Sequence, residues 1–337
     1  MTSITARELR REGHSVVVFE RQKHVGGTWN YTDHVERDPL SVDPTRPIVY
    51  SSVYRSLRTN LPRECMGFTD FPFVIRPGES RDPRRFPRHG EVVVIIGSSS
   101  SAVDISRDVA GVAKEVHVAS WSNTADTFIK QNGHTNLWMH SVIERVQEDG
   151  SVVFQNGKTV LADVIMHCTG YKYHFPFLET SGSVAVDDNS VGPLYKHVFS
   201  PAFAPSLSFI GIAWKVLPFH LFELQSKWIS GVLSGRIMLP SKEDMMVEIK
   251  TFYDTLEAQG IPKRYTHYLG LSQFEYFDWL ASQCGCSGTE KWRKEMCLTS
   301  FMRVMKHPET YRDEWEDHHL VSQAYQDFLS IVLINKI

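Results

Sequence analysis

The stretch VVVIIGSSSSAVDISRDVA, residues 92–110, decides how the rest of this chain is read. Five consecutive aliphatic residues, with no polar alternation, predict a strand buried on both faces. Gly97 and the serines stop it, and a helix opening with Ala102 follows. That is the strand, turn and helix order of a pyrophosphate site, in which the backbone N–H groups and the dipole of a helix N-terminus face the anion. Against the pattern G-x-G-x-x-G/A, Gly97 and Ala102 fill the first and third positions. Ser99 stands at the second, where the backbone must come close to the phosphates, and Ser98 and Ser101 add hydroxyl donors. The same residues also fit a plain strand-to-helix turn with a serine N-cap, and Asp104 needs no role beyond complementing the helix dipole.

The next strand, in EVHVASWSN (115–123), carries the position that selects between dinucleotides. An acid there would grip the ribose of NAD, and a base would take the 2′-phosphate of NADP; neither is present. Trp121 can stack on an adenine, Ser120 or Ser122 can donate to a phosphate, and a positive charge would have to come from Lys114 or Lys130. VIMHC (164–168), running into TGY, is a further strand of the same region.

Upstream, MTSITARELRREGHSVVVFE reads as a helix, a turn at Gly13 and a strand from Val16 to Phe19 ending on Glu20. This is the second half of another dinucleotide unit, whose glycine turn belongs about 20 residues before the acid, so it would lie upstream of Met1. Residues up to 90 then become irregular, because Pro39, Pro44, Pro47, Pro62, Pro72, Pro77, Pro83 and Pro87 forbid long helices. From Ser241 the pattern turns helical. SKED is a capping box, and Met245, Ile249, Phe252 and Leu256 fall on one helical face. No solenoid period is visible.

With 337 residues, 42% of them apolar, the chain can bury a large core in two or three domains at about 100–200 residues each. A net charge of −3 gives no general attraction to nucleic acid or anionic membrane. Arg81, Arg84, Arg85 and Arg88 form a local basic cluster that reads as a solvated loop. Cys65, Cys168, Cys284, Cys286 and Cys297 are too few for a disulfide framework, and no signal peptide precedes the first helix, so a reducing, cytoplasmic setting is expected. Ile331 to Ile334 is far shorter than the ~20 apolar residues of a membrane span.

Five blocks in consistent order, VVVFERQKHVGGTW, LRTNLPRECMGFTDFPF, VVVIIGSSSSAVDISRDVA, VIMHCTGYKYHFPFL and FELQSKWISGVLSGRIMLP, resemble the flavin-containing monooxygenases, most of all the plant subgroup that S-oxygenates glucosinolates. The resemblance implies an α/β, Rossmann-like flavoprotein with two dinucleotide-binding domains and a helical C-terminal region, truncated here. It divides the chain into a partial FAD-binding domain (1–90), a partial NADP-binding domain (91–170), a return to the FAD domain (171–240) and a helical region (241–337). It further implies that Glu20 holds the FAD ribose, that Gly26, Gly27 and Trp29 line the flavin, and that Asn60 acts at the flavin's reactive edge. Gly97, Ser98, Ser99 and Ser101 would contact NADP phosphates, Thr169 and Gly170 would form an interdomain hinge, and Gln225 would lie near the flavin or serve as an ordinary polar position on an amphipathic helix.

In that family the chemistry belongs to the cofactors: NADPH reduces FAD, the reduced flavin takes O2, and one oxygen atom passes to a soft sulfur or nitrogen substrate, a thioether or an amine. Two family pieces are absent from these residues: the N-terminal strand with its glycine turn, and the block between RRFPRHGE and VVVIIG with the signature F-x-G-x-x-x-H-x-x-x-(Y/F). Two readings follow, an active S-oxygenase and a catalytically impaired relative that keeps nucleotide or partner binding. GSSSS also resembles a G-x-S-x-G nucleophile elbow, but Ser101 takes its last glycine. A metal site at Cys284 and Cys286 lacks a second pair at zinc spacing, and no metal is expected.

Overall fold

A computed structural model describes residues 2–20, 23–31, 43, 53, 57, 59–71, 73, 91–124, 128–131, 133–307, 310–313 and 316–334. The basic cluster at Arg81, Arg84, Arg85 and Arg88, and all but one of the early prolines, lie outside the described residues. In chain order the elements are helix α1 (Thr2–Arg11), strand β1 (Val92–Ile96), helix α2 (Ser100–Ala110), and strands β2 (Glu115–Ala119), β3 (Phe128–Lys130), β4 (Leu137–His140), β5 (Ile143–Val146), β6 (Ser151–Phe154), β7 (Thr159–Leu161) and β8 (Val164–His167). A hairpin, β9 (Ala185–Asp187) and β10 (Ser190–Gly192), precedes helices α3 (Pro218–Leu233), α4 (Lys242–Ala258), α5 (Gln273–Cys284), α6 (Lys291–Lys306) and α7 (His318–Ile334). The chain forms two units, one of Met1–Phe19, Thr59–Glu79 and Lys172–Ile337, the other of Glu20–Arg58 and Ser80–Tyr171.

In the second unit, β1 is the keystone of a five-stranded sheet of order β3-β4-β2-β1-β8. β4, β2, β1 and β8 run parallel, and β3 is an antiparallel edge. A strand buried on both faces needs an unbroken aliphatic run, and each face of β1 has its own cover. Val93 and Ile95 pack with Ala102 and Val109 of α2. Val94 packs with Val152 and Phe154 of the small antiparallel sheet β5-β6-β7. Each such side chain contributes about 1.5–3 kcal/mol by leaving water.

In the first unit, α3 is the central helix. Leu221, Leu224, Trp228 and Ile229 enter the core with Phe277 and Leu280 of α5 and Met296 of α6. The short 3-10 turn Arg63–Met66 is fastened by Arg293 of α6. Its guanidinium donates to the carbonyls of Glu64 (3.3 Å) and Gly67 (3.2 Å) and to both oxygens of Glu290 (2.7 and 3.2 Å), and it is buried. Burial pushes the Glu290 carboxyl up, and Arg293 more than offsets this, leaving it below its ordinary value. Glu223, also buried, accepts from the Thr69 N–H (2.8 Å) and hydroxyl (3.1 Å) and from Lys227 (2.8 Å). No helix among the described residues is long and apolar enough to cross a membrane.

Three local expectations are corrected. Residues 14–20 form no strand: they belong to no regular element and have no ladder partner among the described residues, and Val17 is 77% and Phe19 93% exposed. β-propensity alone holds no strand without a neighbour to accept its backbone hydrogen bonds. Helix α2 starts at Ser100, because Ser99 is already extended as the N-cap and its carbonyl accepts from Val103 N–H (3.0 Å). The apolar face of α4 is narrower than expected, since Met245 and Ile249 are buried and Phe252 is exposed. Half of its capping box forms: Ser241 accepts from Asp244 N–H (3.1 Å), while the Asp244 carboxylate takes the Ser241 hydroxyl (2.7 Å) in place of its backbone N–H.

Arg293→Ala should lower unfolding stability by about 3–5 kcal/mol, because it strands the Glu290 carboxylate and two carbonyls. Denaturant titration checks this, and a loss under about 1 kcal/mol would show that the turn does not depend on the clamp. A second test concerns pH. Burial pushes His140 and His197 down to about 3 and His220 and His267 down to about 4. The unfolded chain takes these protons near pH 6.5 and the native chain does not, so stability should fall as pH drops from about 6.5 towards 4. A melting temperature that is flat from pH 7 to 5 would contradict it.

Candidate functional site

The turn after β1 is built by backbone constraint. Gly97 has φ +117°, and a Cβ there would sit 2.4 Å from the Cys168 carbonyl oxygen, so only glycine fits. Its N–H donates to Ala119 O (2.8 Å), while Cys168 N–H donates to Ile96 O (2.8 Å). The turn is thereby tied to the carboxyl ends of both neighbouring strands, where open α/β sheets bind ligands. The Ser99 side chain makes no capping bond to α2. Ser99 and Ser101 are exposed there, at the positive end of the helix dipole.

Beside this turn the structure gathers three hydroxyls. Ser120 donates to Ser98 (2.6 Å), the Ser120 and Ser122 oxygens are 2.7 Å apart, and Ser98 and Ser122 are 3.4 Å apart. Ser122 N–H also donates to Ser120 Oγ (3.1 Å). Hydroxyl rotors can turn from one another, so the triangle is an uncharged cluster whose donors are free to reorient toward a ligand. Trp121 projects from it, 90% exposed. The loop is held by the His140 carbonyl, which accepts from Ser120 N–H (3.2 Å) and the Asn123 amide (2.7 Å). The His140 ring stacks on Phe154 at 3.9 Å and its Nε2 lies 2.9 Å from Nδ1 of His117. Burial above all, then His117 and Lys158, pushes His140 down to about 3, so it is neutral at ordinary pH and supplies no charge to the corner.

The remaining expected site residues divide between the units. Glu20, Gly26, Gly27 and Trp29 belong to the same unit as the Gly97 turn. Gly26 is the N-cap of the 3-10 turn Gly27–Trp29, whose Trp29 N–H donates to Gly26 O (3.0 Å); the two glycines and Trp29 are exposed. Thr169 and Gly170 are exposed directly after β8, two residues before the chain passes into the other unit at Lys172.

Asn60 and Gln225 lie in the other unit. Asn60 is exposed, and the backbone beside it is docked: Ser300 Oγ of α6 donates to Asn60 O (3.3 Å) and Arg312 Nε to Thr59 O (3.2 Å). Gln225 is fully buried. Its Oε1 accepts from Gly211 N–H (2.9 Å) and its Nε2 donates to Tyr276 Oη (3.1 Å), which donates to Lys196 O (2.7 Å). Both ends of its amide are committed to this strut. Sequence reasoning did not find Arg293, Ser300, Arg312 or Tyr276, since each meets its partner across a long stretch of chain and none stands in a motif.

A family profile described as FMO-like, flavin-binding monooxygenase-like, matches residues 133–291. Flavin-containing monooxygenase FMO GS-OX-like 3 of Arabidopsis thaliana is 59% identical, covering 96% of this chain and 94% of the relative, and FMO GS-OX-like 4 of the same plant is 60% identical at the same coverage. The first alignment runs over 423 positions, more than the 337 residues of this chain, so it is opened by gaps within it. Among solved structures, S-allyl-L-cysteine S-oxygenase from Allium sativum superimposes with a TM-score of 0.88 at 46% identity, covering 97% of this chain and 96% of that one. Tmm from a Pelagibacter strain shares the fold at a TM-score of 0.67 and 20% identity.

Trp121→Arg should tighten binding of NADP+ by about 1–3 kcal/mol while leaving NAD+ nearly unchanged, because a guanidinium beside the serine triangle can pair with the 2′-phosphate that NAD+ lacks. Calorimetry on the two dinucleotides measures this. Equal changes for both would place the 2′-phosphate elsewhere.

Proposed function

The chain belongs to the flavin-containing monooxygenase family, whose cofactors are FAD and NADP(H), and on that premise we propose that it S-oxygenates a thioether of the methylthioalkyl glucosinolate type to a sulfoxide, using NADPH and O2. The observation that carries this reading is the Gly97 turn with its serine triangle, a cradle that a single Cβ would fill. It fits the dinucleotide phosphates: the helix dipole of α2 and the Ser98, Ser120 and Ser122 hydroxyls can all face them without reorganising the backbone. Ser99 and Ser101 flank the same helix start.

When bound, FAD reduced by NADPH activates O2 and delivers one oxygen atom to a soft nucleophile. The chain's own residues supply position and dryness. Gly27 leaves the backbone open to approach by a flat ring system, while the space beside Gly26 is taken by the Asn30 side chain, with Trp29 next to them and Glu20 as the ribose acceptor. Asn60 offers a carboxamide, donor and acceptor at once, to hold cofactor and oxygen in register. Gln225 acts as a positioning residue through its strut to Gly211 and Tyr276, and Thr169 and Gly170 mark the chain's passage between the units. No general acid is required, which agrees with the buried histidines being neutral. The substrate class is supported by the sulfur chemistry named for the Allium enzyme, and a reducing, cytosolic setting by five free cysteines. The boundaries 1–90, 91–170, 171–240 and 241–337 stand as the proposed division into partial FAD, partial NADP, returning FAD and helical regions.

A second reading is favoured by a specific observation. The FAD half fits less well than the NADP half: residues 14–20, which carry Glu20, have no strand beside them among the described residues, and the alignment with longer relatives is opened by gaps. A chain that binds NADP(H) but oxygenates poorly agrees with both.

The experiment supplies the purified chain with FAD, NADPH and a methylthioalkyl thioether, and measures sulfoxide formed per NADPH consumed. Active S-oxygenation predicts a ratio near one that Asn60→Ala lowers about tenfold or more, the scale of losing one oriented donor. NADPH binding without flavin retention or sulfoxide would instead establish the second reading, and failure to bind NADPH would overturn both.

A further inference from the structure

Independently of the reading above, we propose that Cys284-Gly285-Cys286 is a reactive dithiol, in which the exposed Cys286 sulfur attacks hydroperoxides and Cys284 resolves the product into a disulfide.

The geometry begins with how α5 ends. Gly285 is left-handed (φ 67°, ψ 31°), its N–H donates to Ser282 O (3.2 Å), and Cys286 N–H reaches back to Ala281 O (3.0 Å). This closure folds residue 286 back over the last helical turn, so that the two cysteines flank one left-handed glycine at a closed helix end instead of lying along an extended strand. Cys286 is exposed and Cys284 half-buried. The Cys284 thiol donates to Leu224 O (3.9 Å).

Charge around the pair is asymmetric. Lys227 of α3 and Arg236, just beyond α3, both act on the pair, and Arg236 donates to Cys284 O (3.3 Å). Opposing them are Glu223, which raises Cys286 and is itself paired with Lys227, and the α5 C-terminus, whose dipole disfavours an anion. The neighbouring Cys284 outweighs these: with the help of Lys227 and against burial, it pulls Cys286 down to about 6. Cys284 moves the other way, pushed up by its interaction with the Cys286 side chain, then by burial and by the charge on Cys286. The pair is thus a thiolate beside a thiol, the division of labour that peroxide chemistry needs. Burial pushes the other three cysteines upward: Cys65 and Cys168 are raised, and Cys297 reaches about 11.

The reaction balances with hydrogen peroxide as oxidant. The Cys286 thiolate attacks one peroxide oxygen, the O–O bond breaks, and the leaving hydroxide takes a proton to become water, leaving Cys286 as a sulfenic acid. The Cys284 sulfur then attacks the Cys286 sulfur, the S–O bond breaks, and the departing hydroxide takes the Cys284 proton as a second water. Two sulfurs lose one electron each to the new S–S bond, and the two peroxide oxygens gain one each.

The test uses the full chain. Iodoacetamide alkylation followed by peptide mass spectrometry should show the Cys286 rate levelling off by about pH 7, whereas an ordinary exposed thiol with a pKa of about 8.5 keeps rising nearly tenfold per unit to about pH 8. One equivalent of hydrogen peroxide should remove two of the five thiols counted in denaturant and yield a 284–286 disulfide peptide. Cys284→Ser should trap a dimedone-reactive sulfenic acid at Cys286, and Cys286→Ser should abolish thiol loss. A Cys286 rate that climbs like the ordinary thiol, or peroxide treatment that leaves all five thiols intact, would overturn the proposal. Both cysteine variants conserve size, and circular dichroism of each checks that its fold is retained.

Discussion

Everything in the α/β unit depends on the close approach between Gly97 and the Cys168 carbonyl. Because β1 lies between β2 and β8, the chain leaving β1 can turn up into α2 only where no side chain occupies that gap, and the 2.4 Å separation from a hypothetical Cβ leaves no room. The same constraint fixes where the helix dipole points and draws the Ser98 hydroxyl toward Ser120 and Ser122. Packing below the turn supports it, since Val93 and Ile95 meet α2 while Val94 meets the small antiparallel sheet. The corner of hydroxyls and backbone beside Gly97 is therefore a consequence of strand order before it is a feature of any single residue.

The helical unit is organised by a different rule, that buried polar groups must find partners. Arg293, Glu223 and Gln225 are all enclosed, and each spends its donors or acceptors on backbone groups far away in sequence: Glu64 and Gly67 carbonyls, Thr69 N–H, Gly211 N–H. These bonds fix irregular segments that apolar packing alone would leave without a defined register. Asn60 benefits most. Its neighbours Thr59 and Leu61 belong to no regular element, yet Ser300 and Arg312 hold the backbone there and leave the carboxamide facing outward. The division between a rigid backbone and an available side chain is what a positioned amide requires.

The sequence by itself determined the elements whose cause is local. A run of five aliphatics ending in glycine made β1 and the turn legible, SKED announced the start of α4, and five separated blocks carried the family. It also marked Gly97, Ser98, Ser99 and Ser101 as one group, since they are consecutive. Only the tertiary structure decided matters that depend on distant partners. Residues 16–19 have every propensity of a strand and form none, because a strand exists through a neighbour's backbone. Gln225 looked equally suited to a cofactor contact and to a helix surface, and it is a buried strut, because Gly211 and Tyr276 meet it in space. Ser98 joins Ser120 and Ser122, and Cys284 and Cys286 become unequal, for the same reason: hydrogen bonds and electric fields act over ångströms, and chain order fixes those distances only within a turn or two of a helix.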